Sequence, residues 1–372
     1  MKRAKESKIM ASFDTAPIKL TSARAWRTYI GGSQIDAIHG ISGGEDTQFP
    51  EEWIMSIVSA RNAGREHIQD EGMSYLEGRN VSLKDYITAA PAAVLGSAHA
   101  EKLGATTGVL VKIIDAGERL TIQAHPSKAK APILFNSPFG KTECWHILGG
   151  REIGGEQPCI YMGFKEGITR ERWKEIFDTQ DIPAMLDALH KFPVQPGETY
   201  LICGGVPHAI GAGCLLVEIQ EPTDYTVRTE RITPAGLRIA DSQCHQGLGF
   251  EKMFDVFEYD NISYDEAYTK WCIPPVTLEE TAGYVRREVI GYRQTSCFRM
   301  ERYDITGSCC FPANDRFSGL YILSGEGTMA DEQGKHAVKG GDQYFVPATS
   351  LDFTITAGET PITLFRCFGP EL

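Results

Sequence analysis

Apolar positions along the chain fall into short alternating runs. "GVLVKIIDA", "CWHIL", "PCIYMGF", "ETYLIC" and "CLLVEIQ", between residues 108 and 220, are separated by Gly and Pro, and further runs of this kind fill 296–368. A period of two bounded by turn residues predicts β-strands. Two stretches carry the helical period instead: 83–103, and 169–192, where Thr169 is placed to cap and Pro193 to stop the helix. Residues 245–285 are mixed and aromatic without alternation and read as a connection. A weak repeat adds to this. "GETYLICGGVPH" (197–208) and "GDQYFVPATSLD" (341–352) share a Gly-acidic-x-Tyr-apolar-apolar rhythm that ends on His208 and Asp352 respectively. Two copies of one strand-rich unit predict a mainly β chain of two jelly rolls with helical insertions at about 60–103 and 169–192. The first unit is expected over 1–245, the connecting segment over 246–285 and the second unit over 286–372.

Composition narrows the function classes. The chain has 372 residues, 42% hydrophobic and 23% charged, as in ordinary globular proteins. No window is long and apolar enough for a membrane span, and the basic start "MKRAKESKIMASFD" lacks the apolar core of a signal peptide. None of the ten cysteines forms a C-x-x-C pair, and Cys309 and Cys310 are adjacent. A reduced, cytoplasmic setting is the expectation. The net charge of −12 argues against nucleic acid, whereas a small anionic substrate needs only a few local cations.

Chemistry-bearing residues interrupt the strands. In "LTIQAHP", Gln123 and His125 stand two apart and share a strand face. Lys141 and Glu143 do the same in "KTECW", and His208 opens the strand after "GGVP". Gln123, His125, Glu143 and His208 make a mixed O/N donor set of the kind zinc accepts when coordination positions stay open for substrate. A turn hydrogen bond for His208 and a solvated Glu143 are the competing readings. Lys112 sits inside an apolar run, where it must either reach solvent along its stem or face an anion in a cavity. Lys141 points toward the same mouth as Glu143. Either lysine could contact an anionic substrate.

The order G-x5-Q-x-H, K-x-E, G-x2-H resembles the split metal motif of the cupins. More specifically, "GVLVKIIDAGERLTIQAHP", "KTECW", "VPHAIGAG" and "LVEIQEPTDYTVR", with the earlier "EEWIMS", resemble the type I mannose-6-phosphate isomerases. The resemblance implies two cupin domains and a zinc-dependent aldose–ketose isomerase interconverting mannose 6-phosphate and fructose 6-phosphate. It implies one zinc per chain held by Gln123, His125, Glu143 and His208, with Arg228 as the active-site arginine and Glu218 as a carboxylate in catalysis. Asp224 and Glu221 are rivals for the base. The partner is a small sugar phosphate; monomer and homodimer both stay open.

Departures from the family pattern are local. "YIGG" places Ile30 before Gly31–Gly32 where the family has Trp, Glu221-Pro222-Thr223-Asp224 replaces a Ser-rich segment, and Thr229-Glu230-Arg231 follows Arg228. The second unit offers only His336, in a turn, and Asp352 in the place of His208. It is therefore expected to lack a metal site and to serve as a structural, dimer or lid element. Two other functions compete. A cupin oxygenase would want more histidines around iron, and a non-catalytic sugar-phosphate-binding bicupin would be expected to have lost ligands.

Overall fold

The computed structural model describes residues 13–372, so nearly all of the basic opening stretch lies outside the described residues. Two pairs of antiparallel sheets form two barrels. In the first, a six-stranded sheet runs in the order Thr199–Ile202, Glu143–Gly150, Cys214–Gln220, Leu110–Asp115, Glu51–Ile54, Ala23–Ala25. Its partner sheet runs Leu189–Pro193, Cys159–Phe164, His208–Ile210, Gln123–Ala124, Val227–Arg228. Ile114, Trp145, Leu216 and Tyr200 from one sheet meet Ile160 and Met162 from the other in a shared core. Alternation does the sorting: even-numbered residues of Leu110–Asp115 and Cys214–Gln220 face this interior, and odd-numbered ones face out.

The outward residues are not exposed. Val111, Ile113, Val217 and Ile219 pack with Tyr321, Phe345 and Phe365 of the second barrel. Both faces of the central strands are therefore covered, which explains their near-continuous apolar runs. The second barrel pairs a nine-stranded sheet with the four strands Ser308–Phe311, Phe353–Ala357, Glu326–Asp331 and Gly334–Lys339. Among the described residues no helix is long and apolar enough to cross a membrane. All ten cysteines are free thiols.

Strand pairing cuts across the expected boundaries. Ile18–Leu20 pairs with Gln343–Val346, so the N-terminal part of the chain extends the sheet of the second barrel. That sheet begins at Val276–Glu280, inside the stretch read as a connection. The connection also contains the helix Tyr264–Trp271, opened by a capping box of Ser263 and Glu266. Trp271 docks on the first barrel over Gly163, whose φ of 74° and missing Cβ leave room for the indole.

The helical expectations hold in part. Residues 83–103 form three short helices, Leu83–Ala89, Pro91–Leu95 and Ser97–Leu103, separated by Ala90 and Gly96. Residues 60–82 are not helical and contribute only the strands Tyr75–Leu76 and Val81–Ser82. In 169–192, Thr169 caps Arg170–Thr179 as expected, but Gln180 turns left-handed and a second helix, Ile182–Asp187, starts on Asp181. Residues 189–192 belong to a strand, because Leu189, His190 and Phe192 find partners on Cys159–Phe164. Pro193 ends that strand, not a helix.

His146 marks the seam between the barrels. Its ring meets Phe365 edge-on, with centroids 5.5 Å apart; Nδ1 lies 2.9 Å from Thr199 Oγ1, and Nε2 is buried without a partner. Burial pushes this imidazole down to about 3, with Arg302 adding to the effect. An unfolded chain takes up the proton near pH 6.5 and the folded chain does not, so stability present above that pH is lost as pH falls toward 3. The slope from this one group is about 1.4 kcal/mol per pH unit. His146→Phe should flatten the pH dependence of the urea midpoint between pH 6.5 and 4; an unchanged slope would remove His146 as its source.

Candidate metal centre and active site

Strand register builds the site. On the smaller sheet of the first barrel, Gln123 stands opposite His208 on one side and Arg228 on the other, so the three form one transverse row. On the facing sheet, Trp145, Glu218, Lys112 and Trp53 form a second row, each opposite the next. Glu143, two residues before Trp145, occupies the same face one step along. Convergence of residues far apart in sequence thus follows from antiparallel pairing and the two-residue period.

His125, Glu143 and His208 meet at one buried point, with candidate donor atoms all within 4.8 Å of one another. His125 Nε2 lies 3.0 Å from Glu143 Oε1 and 3.1 Å from His208 Nε2. Each ring is oriented from behind. His125 Nδ1 is 2.8 Å from the Tyr225 carbonyl, and His208 Nδ1 is 2.8 Å from the Val206 carbonyl. A carbonyl only accepts, so Nδ1 carries the proton in both and both Nε2 lone pairs face the site. Burial lowers both imidazoles, His208 to about 3, so they are neutral at physiological pH. Gln123 reaches the same point, its amide nitrogen 3.4 Å from His208 Nε2. A half-turn of the carboxamide presents Oε1 in its place.

Burial would raise the carboxyl of Glu143, but nearby positive charge, supplied by the Lys141 ammonium when both imidazoles are neutral, holds it below the ordinary range. Lys141 Nζ lies 2.6 Å from Glu143 Oε1 and 3.1 Å from His125 Nε2. Even so, neither oxygen of Glu143 has a donor at a hydrogen-bonding angle. An ionised carboxylate without directed donors, beside two neutral imidazoles with inward lone pairs, is a donor set suited to a divalent cation.

The remaining expected residues line the adjoining cleft. Lys112, Lys141, Gln123, Glu218 and Arg228 all face it. Lys112 does not reach solvent, being only 3% exposed. Its ammonium lies 3.0 Å from Glu218 and 3.8 Å from Glu51, and 5.3 Å from the centre of the Trp53 ring. Both lysines are thus paired with carboxylates at the cleft wall. Glu218 accepts from Trp145 Nε1 at 2.8 Å, and burial, aided by Glu143, raises its carboxyl. Arg228 is half-buried and donates to the carbonyls of Thr226 and Gln243. Of the rivals, Asp224 faces the cleft, whereas Glu221 accepts from the Thr142 backbone outside it. The cleft, about 40 Å³, opens past Asn62, Asp224 and Gln243 into a groove of about 730 Å³.

A charged lattice went unread in the sequence. Glu51 is held by Arg27 at 2.9 Å, Tyr29 at 2.7 Å and Trp53 at 2.7 Å. Burial would raise it, but Arg27 and Lys112 bring it to about 2. Arg27 also donates twice to Asp224, at 3.3 Å each. The available signal was the acidic pair Glu51-Glu52 inside a run that is otherwise apolar. The departures have local explanations. Tyr29, beside Ile30, places an aromatic ring on the cleft. Glu230 accepts from both Nη atoms of Arg119, at 2.6 and 2.7 Å, and from the Ile122 amide, which fixes the strand leading to Gln123.

Two family models match the chain: "Phosphomannose isomerase type I, catalytic domain" over residues 66–139, and "Mannose-6-phosphate isomerase, cupin domain" over 289–364. Among curated relatives, "Probable mannose-6-phosphate isomerase GmuF" of Bacillus subtilis is 28% identical over 247 residues, 66% of this chain and 71% of that protein. The mannose-6-phosphate isomerase of Streptococcus mutans is 27% identical over 243 residues, 65% of this chain and 68% of its own. The crystal structure of the mannose 6-phosphate isomerase from Bacillus subtilis has the same fold, with a TM-score of 0.73 at 22% identity, covering 95% of this chain and 99% of that one. The apo form from Salmonella typhimurium aligns with a TM-score of 0.70 at 16% identity, covering 96% and 100%.

Replacing one donor tests the centre directly. His208→Ala should reduce bound divalent metal from about one equivalent to a small fraction, read by elemental analysis of purified protein with an unchanged far-ultraviolet spectrum. Full metal retention would remove His208 from the set.

Proposed function

The chain resembles the type I mannose-6-phosphate isomerases in two sequence segments and in fold, and on that premise we propose that it interconverts mannose 6-phosphate and fructose 6-phosphate as a zinc-dependent aldose–ketose isomerase. The observation behind this reading is the buried meeting of His125, Glu143 and His208 beside a cleft walled by Lys112, Lys141, Glu218 and Arg228. Gln123, His125, Glu143 and His208 would hold the ion. Bound there, it supplies Lewis acidity toward the carbonyl and hydroxyl oxygens of the sugar.

Isomerisation moves a proton between C2 and C1 of the open-chain sugar through an enediol. Glu218 takes the proton from one carbon and returns it to the other. Its carboxyl is raised by burial, which suits a group that must both accept and release a proton near neutrality. Lys112, at 3.0 Å, fixes the carboxylate and presents its remaining N–H bonds to sugar hydroxyls. Arg228 faces the oxygen that gains negative charge. Its position is fixed by backbone carbonyls before the charge develops, so little reorganisation opposes the step. Lys141 screens Glu143 and reaches the same mouth.

The assay is formation of fructose 6-phosphate from mannose 6-phosphate by purified protein. A chelator should abolish turnover and added zinc restore it; turnover that survives complete metal removal would count heavily against the reading. Glu218→Gln keeps shape and removes the base. It should lower kcat by about 10²–10⁴-fold with a small change in KM. A variant with nearly full kcat would pass the proton transfer to Asp224 or another group.

A further inference from the structure

The second barrel has a cavity of its own. It measures about 410 Å³, within the range of small-molecule sites, and opens at the end of the barrel where Arg299–Ile305, Ser308–Phe311 and Ile362–Phe368 come together. Its wall carries four arginines, Arg286, Arg299, Arg316 and Arg366, against two carboxylates, Glu279 and Glu301. In a chain of net charge −12 this concentration of cations is unusual.

The pairing inside the cavity is uneven. Glu301 is committed to Arg299 at 2.5 Å and to the Tyr303 hydroxyl at 2.7 Å, and Glu288 holds Arg299 from behind at 3.2 Å. The one carboxylate among the described residues within ion-pair distance of Arg286 is Glu279, at 3.9 Å, and Tyr303 and Glu301 lie near it. Arg366 is 5% exposed, yet no carboxylate among the described residues lies within ion-pair distance of it. Its Nε donates to Ser318 Oγ at 3.0 Å, and its guanidinium lies over Phe311 and Phe368, with 5.5 and 5.1 Å to the ring centres. A buried cation without a counterion is costly. Burial accordingly pulls this guanidinium below its ordinary value, although Tyr303 and Glu301 oppose the shift. Packing on two rings and the Tyr303 hydroxyl account for part of its surroundings; they do not account for its place on the wall of a cavity that Arg286 and the exposed Arg316 also line.

We propose that the mouth of the second barrel binds a small phosphorylated metabolite, its phosphate held by Arg366, Arg286 and Arg316, at a site separate from the metal centre. Planar guanidinium forks match phosphate oxygens, and Tyr284, Tyr292 and Tyr303 supply hydroxyls and ring faces for the rest of the molecule. Phosphate is common to sugar phosphates, nucleotides and inorganic phosphates, so the test must separate them.

Calorimetric titration of the full-length protein at low ionic strength with pyrophosphate, a hexose 6-phosphate and ADP provides those arms. At least one should bind in a phase that persists in Arg228→Ala, where the first barrel is impaired. The same phase should be lost in Arg366→Met and weakened about tenfold or more in Arg316→Ala, whose exposed position leaves folding intact. Isomerase turnover without added ligand should be unchanged in Arg316→Ala. Absence of binding by all three probes overturns the proposal. So does a single phase that disappears with Arg228→Ala, or one that survives at full strength in both Arg366→Met and Arg316→Ala.

Discussion

Two imidazole nitrogens with their lone pairs turned toward each other, 3.1 Å apart and beside an ionised carboxylate, form an arrangement that positive charge stabilises. The carbonyls of Tyr225 and Val206 fix the rings so that neither can turn its N–H inward. Rotating the rings away would leave those carbonyls unpaired, and exposing the cluster would open the core around Trp145. The Lys141 ammonium lies close to both His125 and Glu143 and partly meets this demand. Orphaned oxygens on Glu143 show that it does not meet it fully. The donor set therefore suits a cation, and the cleft adjoins it.

The wall opposite depends on the same principle applied sideways. Asp224, Arg27, Glu51, Lys112 and Glu218 alternate in sign along a chain of contacts of 2.9–3.8 Å. Each side chain is nearly excluded from water and lies beside a group of opposite sign. Such a lattice gives little net stability. It fixes orientation, because removing any one member leaves its neighbours buried and unpaired. Trp53 and Trp145 close the two ends, one under the cations and the other hydrogen-bonded to Glu218. Charge set rigidly in a dry wall favours one distribution of substrate charge without prior rearrangement, which is the physical requirement for stabilising an enediolate.

Much of this was legible in the sequence, for reasons that can be named. The period of two identified the strands at 110–115, 143–150, 159–164 and 214–220, and it placed Glu218 on the face of Leu216 and Gln220, where pairing with Lys112 and Trp145 puts it. Gln123 and His125 share a destination because they share a strand face. Periodicity failed where a segment was short or covered on every side. Glu51–Ile54 is buried at all four positions, two of them acidic, and shows no alternation. Ile18–Leu20 is three residues long and gains its structure from Gln343–Val346, more than 320 residues away. Leu189–Pro193 follows two helices so closely that its apolar residues fit a helical period until the partner strand is known. Arg27 and Asp224, 197 positions apart, had no local signal at all.

The repeat noticed in the sequence gains its meaning from what the two barrels do differently. Thr199–Ile202 and Gln343–Val346 follow Gly197 and Gly341, both left-handed, and each lies in a sheet that covers a barrel core. His208, after the first, turns inward as a donor; Asp352, after the second, is exposed and accepts from the Ala313 amide in a turn. The first barrel thus points lone pairs and a carboxylate at its mouth, and the second points guanidinium groups. A shared barrel architecture cannot account for that inversion, since the backbone fixes only which positions face inward. The chemistry of each mouth is set by a few inward positions that contribute little to the shared core, so the second barrel keeps its fold with no inward imidazole, its one histidine, His336, being exposed on the strand Gly334–Lys339. Its Arg366 occupies the same face as the apolar Leu364 and Ile362. A buried guanidinium in a row that is otherwise apolar points to a requirement other than packing.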